Sequence, residues 1–414
     1  MAGKSCTGKA DLSQTEVEVK LPLEGIRVLD LSRVLAGPFA TQLLGDLGAE
    51  IIKVEAPGRG DETRSWGPPF ADGEAAYYLS VNRNKKSITV NLKTPEGIDI
   101  IKKLAKISDV FIENFKVGGL DKLGLGYEEI RKENPRIIYV SITGFGHTGP
   151  YKERPGYDFI IQGMCGVMSV TGEPDGEPMK VGVAWTDVIT GLFASNAILA
   201  ALIEREKSGL GQYIDISLLD SAIAAMVNQA SNYLISGVPP RRYGNAHPNI
   251  VPYQAFKTKD SYIILAVGND SQFKKFCKVA GREDLSNDPD FSTNPKRVEN
   301  REKLIPIIKE IMETKTTSEW CKLLTEAKVP CGPIYNLKEV FEDPHVLSRN
   351  MIVRINHPTA GEIPLVGTPL KFSRTKIQFK QHPPLLGEHT DEVLHHLLGF
   401  NEKTLKVYHE KGII

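Results

Sequence analysis

From Leu23 onward the chain alternates short apolar runs with stretches in which apolar residues recur every three or four positions. The runs IRVLDL, EIIKVEA, DVFIENF and RIIYVSIT have the length and composition of strands. Between them, PFATQLLGDLG, TPEGIDIIKKLAKIS and YEEIRKENP carry the helical period. Pro38 falls in the first turn of the first helix, where a missing N–H costs nothing. Thr94 and Pro95 supply an N-cap and first residue for the second. Strands alternating with helices predict an α/β fold built on a parallel, doubly wound, Rossmann-like sheet.

Further along, DVITGLFASNAILAALIEREKSG predicts a long apolar helix closed by Gly209, followed by a strand at QYIDISL and one helix over LDSAIAAMVNQASNYLI. At SGVPPRRYGNAHPNIVP the composition turns to proline, glycine and arginine, which predicts a domain boundary. Beyond it come a strand, YIILAVG, and helices at DSQFKKFCKVAG, REKLIPIIKEIMET and TSEWCKLLTEA. The strand-like NMIVRINH and the closing PPLLGEHTDEVLHHLLGF end the pattern. No repeat or low-complexity segment interrupts it.

Composition narrows the class. A chain of 414 residues predicts two to three structural units. Lysine plus arginine equal aspartate plus glutamate at 51 each, so no global charge draws the chain to nucleic acid or an anionic membrane. No uninterrupted apolar run reaches the roughly 20 residues of a membrane span. The five cysteines (Cys6, Cys165, Cys277, Cys321 and Cys331) are odd in number and widely spaced, which predicts reduced thiols, not disulfides or a zinc site. Neither HExxH nor GxSxG occurs, and the adjacent His395 and His396 read as surface residues, so no metal is expected. The N-terminal MAGKSCTGKADLSQTEVEVK lacks a secretory h-region and the Arg-rich character of a mitochondrial leader. It reads as a polar tail or as the start of a chain after leader removal.

Four features carry candidate chemistry. GFGHTG, Gly144 to Gly149, matches G-x-G-x-x-G after a predicted strand, but PYKERP follows instead of a helix, so a dinucleotide site is not expected. LSRVLAGP forms the first strand-to-helix turn, where an open α/β sheet binds ligands and a helix start receives anions. Lys53, Arg64, Arg83, Lys85, Lys86 and Lys93 read as a solvated surface or as counterions for a phosphorylated ligand, with composition favouring the surface. Asp187 stands alone among apolar residues at a helix start. It reads as an N-cap, or as a carboxylate able to attack an activated acyl group.

Segments through nearly the whole chain after residue 22 together resemble the family III CoA-transferases, the family of formyl-CoA transferase and carnitine CoA-transferase. They include LEGIRVLDLSRVLAGPFATQLLGDLGAEIIKVE, GDETRSW, NRNKKSITVNLKTPEG, DVFIENF, SITGFGHTGPY, PGYDFIIQ, REKSGLGQYIDISLLD, VPCGPIYNLKEVF, GTPLKFS and LLGEHTDEVL. GNAHPNIVPYQAF is similar to mitochondrial members that move CoA between succinyl-CoA and glutarate- or hydroxymethylglutarate-type dicarboxylic acids. The resemblance implies CoA thioesters as substrates, no permanently bound cofactor, no metal, and a location in the mitochondrial matrix. It also implies two subunits linked like rings of a chain.

Carried onto this sequence, it implies a polar tail over 1–21, a large CoA-binding domain over 22–225, a linker over 226–247, a small domain over 248–334, and a linker with return to the large domain over 335–414. Asp187 matches the catalytic aspartate. Leu35, Ala36, Val90, Asn91, Leu92, Lys93, Asn114, Phe115, Lys116, Lys122, Arg154, Pro155, Gly156 and Tyr157 match positions around CoA. Lys122 replaces an arginine of the formyl-CoA enzyme, a point charge in place of a planar fork. The glycine-rich lid of that enzyme has no match. RRYGNAHPNIVPY occupies its place, with His247 and Asn249 either near the substrate carboxylates or in a structural turn. Related racemases use a histidine base in a GHD motif. Here the motif is GYD, and an unperturbed Tyr157 phenol, pKa ~10, is a poor base near neutrality. The racemase and an inactive CoA-binding protein remain the alternatives.

Overall fold

The computed structural model describes residues 20–375 and 377–414, so most of the polar N-terminal segment, with Cys6, lies outside the described residues. Six strands form a parallel sheet: β1 (Arg27–Asp30), β2 (Glu50–Glu55), β5 (Lys85–Thr89), β6 (Val110–Glu113), β7 (Ile138–Thr143) and β8 (Tyr213–Ser217). A two-residue ribbon, β3 (Phe70–Ala71) and β4 (Glu74–Ala75), stands apart. The sheet order is β5-β2-β1-β6-β7-β8, so the chain reverses direction across the sheet between β1 and β6. Helices α1 (Ala36–Asp46), α2 (Ala76–Ser80), α3 (Pro95–Lys106), α4 (Tyr127–Glu133), α5 (Asp158–Met164), α6 (Val167–Val170), α7 (Trp185–Ser208), α8 (Leu218–Ala224) and α9 (Val227–Ser236) belong to the same half of the chain.

The alternation of side chains along each strand explains both layers. Val28, Ile51, Val110, Ile138 and Val140 face one core with α1, α5, α7 and α8. Their neighbours Leu29, Ile52, Phe111 and Tyr139 face a second core with α3 and α4. Both faces are covered, as the near-continuous apolar strands require.

The second unit is a three-stranded antiparallel sheet, ordered β11-β10-β9, from β9 (Tyr253–Lys257), β10 (Tyr262–Ala266) and β11 (Cys331–Pro333). Helices α10 (Asp270–Ala280), α11 (Glu283–Asn287), α12 (Asn294–Glu299), α13 (Arg301–Met312) and α14 (Thr317–Glu326) complete it. Phe256, Ile263, Phe273, Phe276 and Trp320 fill its own core, and the Trp320 indole donates to Met312 O at 2.8 Å. Then α15 (Leu337–Glu342), α16 (Pro344–Ser348) and a hairpin, β12 (Ile352–His357) with β13 (Gly361–Val366), lead back. Helix α17 (Thr390–Leu398) packs on β5 and α3, α18 (Glu402–Glu410) follows it, and Val393, Leu394, Leu405, Ile413 and Ile414 join the second core of the parallel sheet.

Two expectations change, and some elements were not anticipated. The single helix over residues 219–235 is two, α8 and α9, because Ala222 packs into the core while α9 buries none of its residues. Strands β9 and β13 and helix α18 had no clear pattern in the sequence. Finally, the 24-residue α7 does reach the length and mean hydropathy (1.6) of a membrane span. Less than half of that apolar stretch is buried, and α7 lies against α1, α8, β7 and β8 as a sheet-covering helix.

Candidate active site

The reversal of strand order opens a crevice beyond the carboxyl ends of β1 and β6, where ligands enter open α/β sheets. The loops after these strands are tied together there. Asn114 Oδ1 accepts from Arg33 N at 2.9 Å, and Asn114 Nδ2 donates to Arg33 O at 2.7 Å. The Arg33 guanidinium lies 5.1 Å from the Phe115 ring centre. Next to it, Val34 adopts a φ of 69°, costly for a β-branched residue. Its N–H is held by the Asp61 carboxylate at 3.2 and 3.3 Å. Leu35 and Ala36 then enter α1 and are buried.

The remaining residues matched to CoA line the same edge. Val90 is buried, Asn91 donates to Ile413 O and Gly412 O, Leu92 is half-buried, and Lys93 is exposed. Lys116 and Lys122 are exposed. A cavity of about 250 Å³ lies beside α4, lined by Glu113 at the end of β6, Lys116, Tyr127 of α4, Tyr139 of β7, His147 and Tyr213 of β8. Burial pushes the Glu113 carboxyl up to about 7 against the hydrogen bonds from Ser141 and Phe115.

On the other face of the sheet, α7 begins at Trp185, and Asp187 is its third residue, not its N-cap. The residue before the helix, Ala184, offers no capping side chain. The cap comes from α5, where Asp158 Oδ1 accepts from Thr186 N at 2.9 Å and Thr186 Oγ1 at 2.8 Å. Among the described residues no hydrogen bond or ion pair reaches the half-buried Asp187 carboxylate. Burial, then the Asp158 charge, pushes it up to about 7. The nearby Tyr77 phenol is pushed up to about 12 by burial and by Asp187 and Asp158. Gly191 sets the distance between α7 and α1, since a β-carbon there would lie 2.7 Å from Ala36 O. That contact fixes Asp187 relative to the first strand-to-helix turn.

The loop after β7 carries GFGHTG without a following helix until α5, so the dinucleotide geometry is absent. Gly144 and Gly156 cross closely, and a β-carbon on either would stand 2.5 Å from the other's Cα. Arg154 and Pro155 are exposed, Gly156 is half-buried, and Arg154 lies 4.6 Å from the Tyr151 ring centre. Tyr157 is 67% exposed. His247 and Asn249 belong to a turn. Asn249 N donates to His247 Nδ1, Asn232 of α9 donates to Asn249, and Arg301 of α13 donates to His247 O.

A model described as CoA-transferase family III matches residues 23–390. The chain belongs to CoA-transferase family III. It is 49% identical over 401 residues, 97% of this chain and 92% of the relative, to the succinyl-CoA:glutarate CoA-transferase of Mus musculus. It is 51% identical over 386 residues to the succinate–glutarate CoA-transferase of Agrobacterium fabrum, covering 91% of this chain and 95% of that one. A crystal structure of a CAIB/BAIF family protein from Brucella suis superposes with a TM-score of 0.81 at 48% identity, covering 91% of this chain and 99% of the other. This protein is therefore a CoA-transferase.

Within this family III chain, most of the early basic residues are neither surface nor phosphate ligands. Lys53 and Lys85 are fully buried, and Arg83 and Arg64 nearly so. Lys53 Nζ donates to Asp61 Oδ2 at 2.9 Å and Ser32 O at 3.0 Å. Arg83 grips Asp46 at 2.9 and 2.6 Å, and Arg64 grips Glu55 at 2.8 and 2.7 Å. Lys85 lies 3.5 Å from Asp30, and burial pushes its amine down to about 7. Only a fold can reveal such pairing. Sequence reasoning also passed over Asp158 and Tyr77 at the Asp187 site, although Asp158 is the last residue of the GYD motif.

Proposed function

We propose that this CoA-transferase moves CoA from succinyl-CoA to a dicarboxylic acid of the glutarate or hydroxymethylglutarate type, with Asp187 as the covalent nucleophile. The observation that carries this reading is the half-buried carboxylate at the start of α7, without a partner among the described residues, in a family III chain. The succinyl-CoA:glutarate CoA-transferases of mouse and human support the substrate class.

An Asp187 carboxylate oxygen attacks the thioester carbonyl, the C–S bond breaks, and a mixed anhydride and CoA thiolate form. The thiolate attacks the aspartyl carbonyl and releases succinate, leaving an aspartyl-CoA thioester. An acceptor carboxylate attacks that thioester, and the thiolate then takes the new acyl group and frees Asp187. Only the ionised form attacks, so a carboxyl at about 7 gives an acid limb near neutrality.

CoA lies, in this reading, along Leu35, Ala36, the 90–93 and 114–116 segments, Lys122 and the 154–157 loop, with Lys93 and Lys122 at its phosphates. His247 and Asn249 stand toward the substrate carboxylates. The active form is a homodimer. Support for it comes from Leu234 and Ile235 of α9, 78% and 87% exposed in the single chain, and from exposed Leu192, Phe193 and Ile203 along α7. Its compartment is the mitochondrial matrix, testable by cell fractionation. Incubation with succinyl-CoA and no acceptor, followed by hydroxylamine or borohydride trapping and peptide mapping, tests the nucleophile. The expected result is modification of the Asp187 peptide, and a modified peptide elsewhere overturns it. Proton exchange at the α-carbon without acyl exchange would select the racemase chemistry instead.

A further inference from the structure

We propose that Asp158 is a positioning residue for Asp187, clamping the start of α7 and setting the basicity of the attacking carboxylate. This rests on the reading of Asp187 as the nucleophile. The clamp is visible in the hydrogen bonds. Asp158 Oδ1 takes the Thr186 N–H and hydroxyl, and Oδ2 accepts from Gln162 Nε2 at 2.8 Å. Gln162 is fully buried, and its Oε1 accepts from Val181 N at 2.8 Å. One turn of α5 therefore holds both the strand-like approach to α7 and the residue just before the nucleophile. A shift of Thr186 moves Asp187 with it, and misplacement by about 1 Å is enough to lose much of an oriented reaction's rate.

The charge follows from the same geometry. A helix start carries partial positive charge that stabilises a nearby anion. Here the anion bonded to it is Asp158, and Asp187 receives no hydrogen bond from the described residues. The titratable groups whose charges act on or feel Asp187 are Asp158 from α5 and Tyr77 from α2, while α1 presents Ala36, Phe39 and Ala40 to Gly191 one turn further along α7. No cation stands among them. A carboxylate denied such stabilisation is more basic, which makes it the better nucleophile toward a thioester. It also favours the aspartyl-CoA thioester over the free aspartate, since the displaced donor carboxylate is the more stable anion. Removing the Asp158 charge is expected to weaken both effects.

Asp158→Asn keeps the size and the Oδ1 acceptor for Thr186 but removes the charge and the Oδ2 acceptor for Gln162. The expected result is a folded protein with unchanged KM for succinyl-CoA. Its acid limb of kcat/KM moves down by about one pH unit, and its kcat above pH 8 falls roughly tenfold. The yield of trapped Asp187 adduct without acceptor should fall by a similar factor. Asp158→Glu, which restores the charge, should return the limb toward its original position even where thermal stability drops. An unmoved acid limb and adduct yield in Asp158→Asn, with the unaltered protein still trapping at Asp187, overturn this proposal alone and reduce Asp158 to a cap. Failure of the unaltered protein to trap at Asp187 overturns the nucleophile reading and this proposal with it.

Discussion

Asp61 and Asp187 stand beyond the same edge of the parallel sheet, and their surroundings drive them in opposite directions. Burial alone would raise Asp61, but the Lys53 ammonium at 2.9 Å and the Thr63 donors outweigh it and hold the carboxyl at about 2. Asp187 is less enclosed, yet it has no cation and no donor among the described residues, and it sits at about 7. The two differ in partners more than in burial. A carboxylate that braces the Val34 turn must stay charged and unreactive, whereas one that attacks a thioester must keep its lone pairs free.

The largest break in this comparison is Asp187→Asn. Turnover should fall by more than about 10⁴-fold, over ~5 kcal/mol of barrier, with folding and CoA binding retained. Steady-state kinetics after excluding deamidation decides it, and near-normal activity would leave Asp187 a structural residue. Second is Lys53→Met, which strands the buried Asp61 charge. It should lower folding stability by about 3–5 kcal/mol in denaturant titrations, with Lys53→Met/Asp61→Asn recovering part of the loss. A third probe sits on the exposed rim. Lys93→Ala and Lys122→Ala should each weaken succinyl-CoA binding by roughly 1–3 kcal/mol in calorimetry, with kcat changed less. Unchanged affinity in both would relocate the phosphates.

The smallest expected effect separates the two carboxylates by sign. Asp61 has a folded pKa below its ordinary value, so its contribution is present above about pH 4 and is lost as pH falls toward 2. The Asp187 pKa is raised, so its ionisation disfavours the folded state increasingly from about pH 4 to 7 and fully above. Asp187→Asn should therefore raise the melting temperature at pH 8 by roughly 1–2 °C, with the gain vanishing below pH 4. An equal gain at both pH values would remove the charge from the explanation.

The sequence alone determined the sheet. Strands such as RVLD and VFIE are apolar on both faces, so they must be covered on both sides, and the helical period between them supplies the covers. Thr94 capping Pro95–Lys106 was equally legible, because a cap is a local arrangement, and Thr94 Oγ1 accepts from Gly97 N at 3.1 Å. So was the failure of GFGHTG as a dinucleotide loop, since the residues after it cannot open a helix. Only tertiary structure decided what the charges do. Lys53 and Asp61 are eight positions apart on different elements, and Asp158 reaches α7 from α5, so no local period links them. It also broke the helix expected over 219–235, because packing against α7 ends where α8 does. Lone charged residues look alike along a chain; their roles follow from which partners the fold brings within hydrogen-bond distance, and a carboxylate left without one is the exception that only coordinates in three dimensions can reveal.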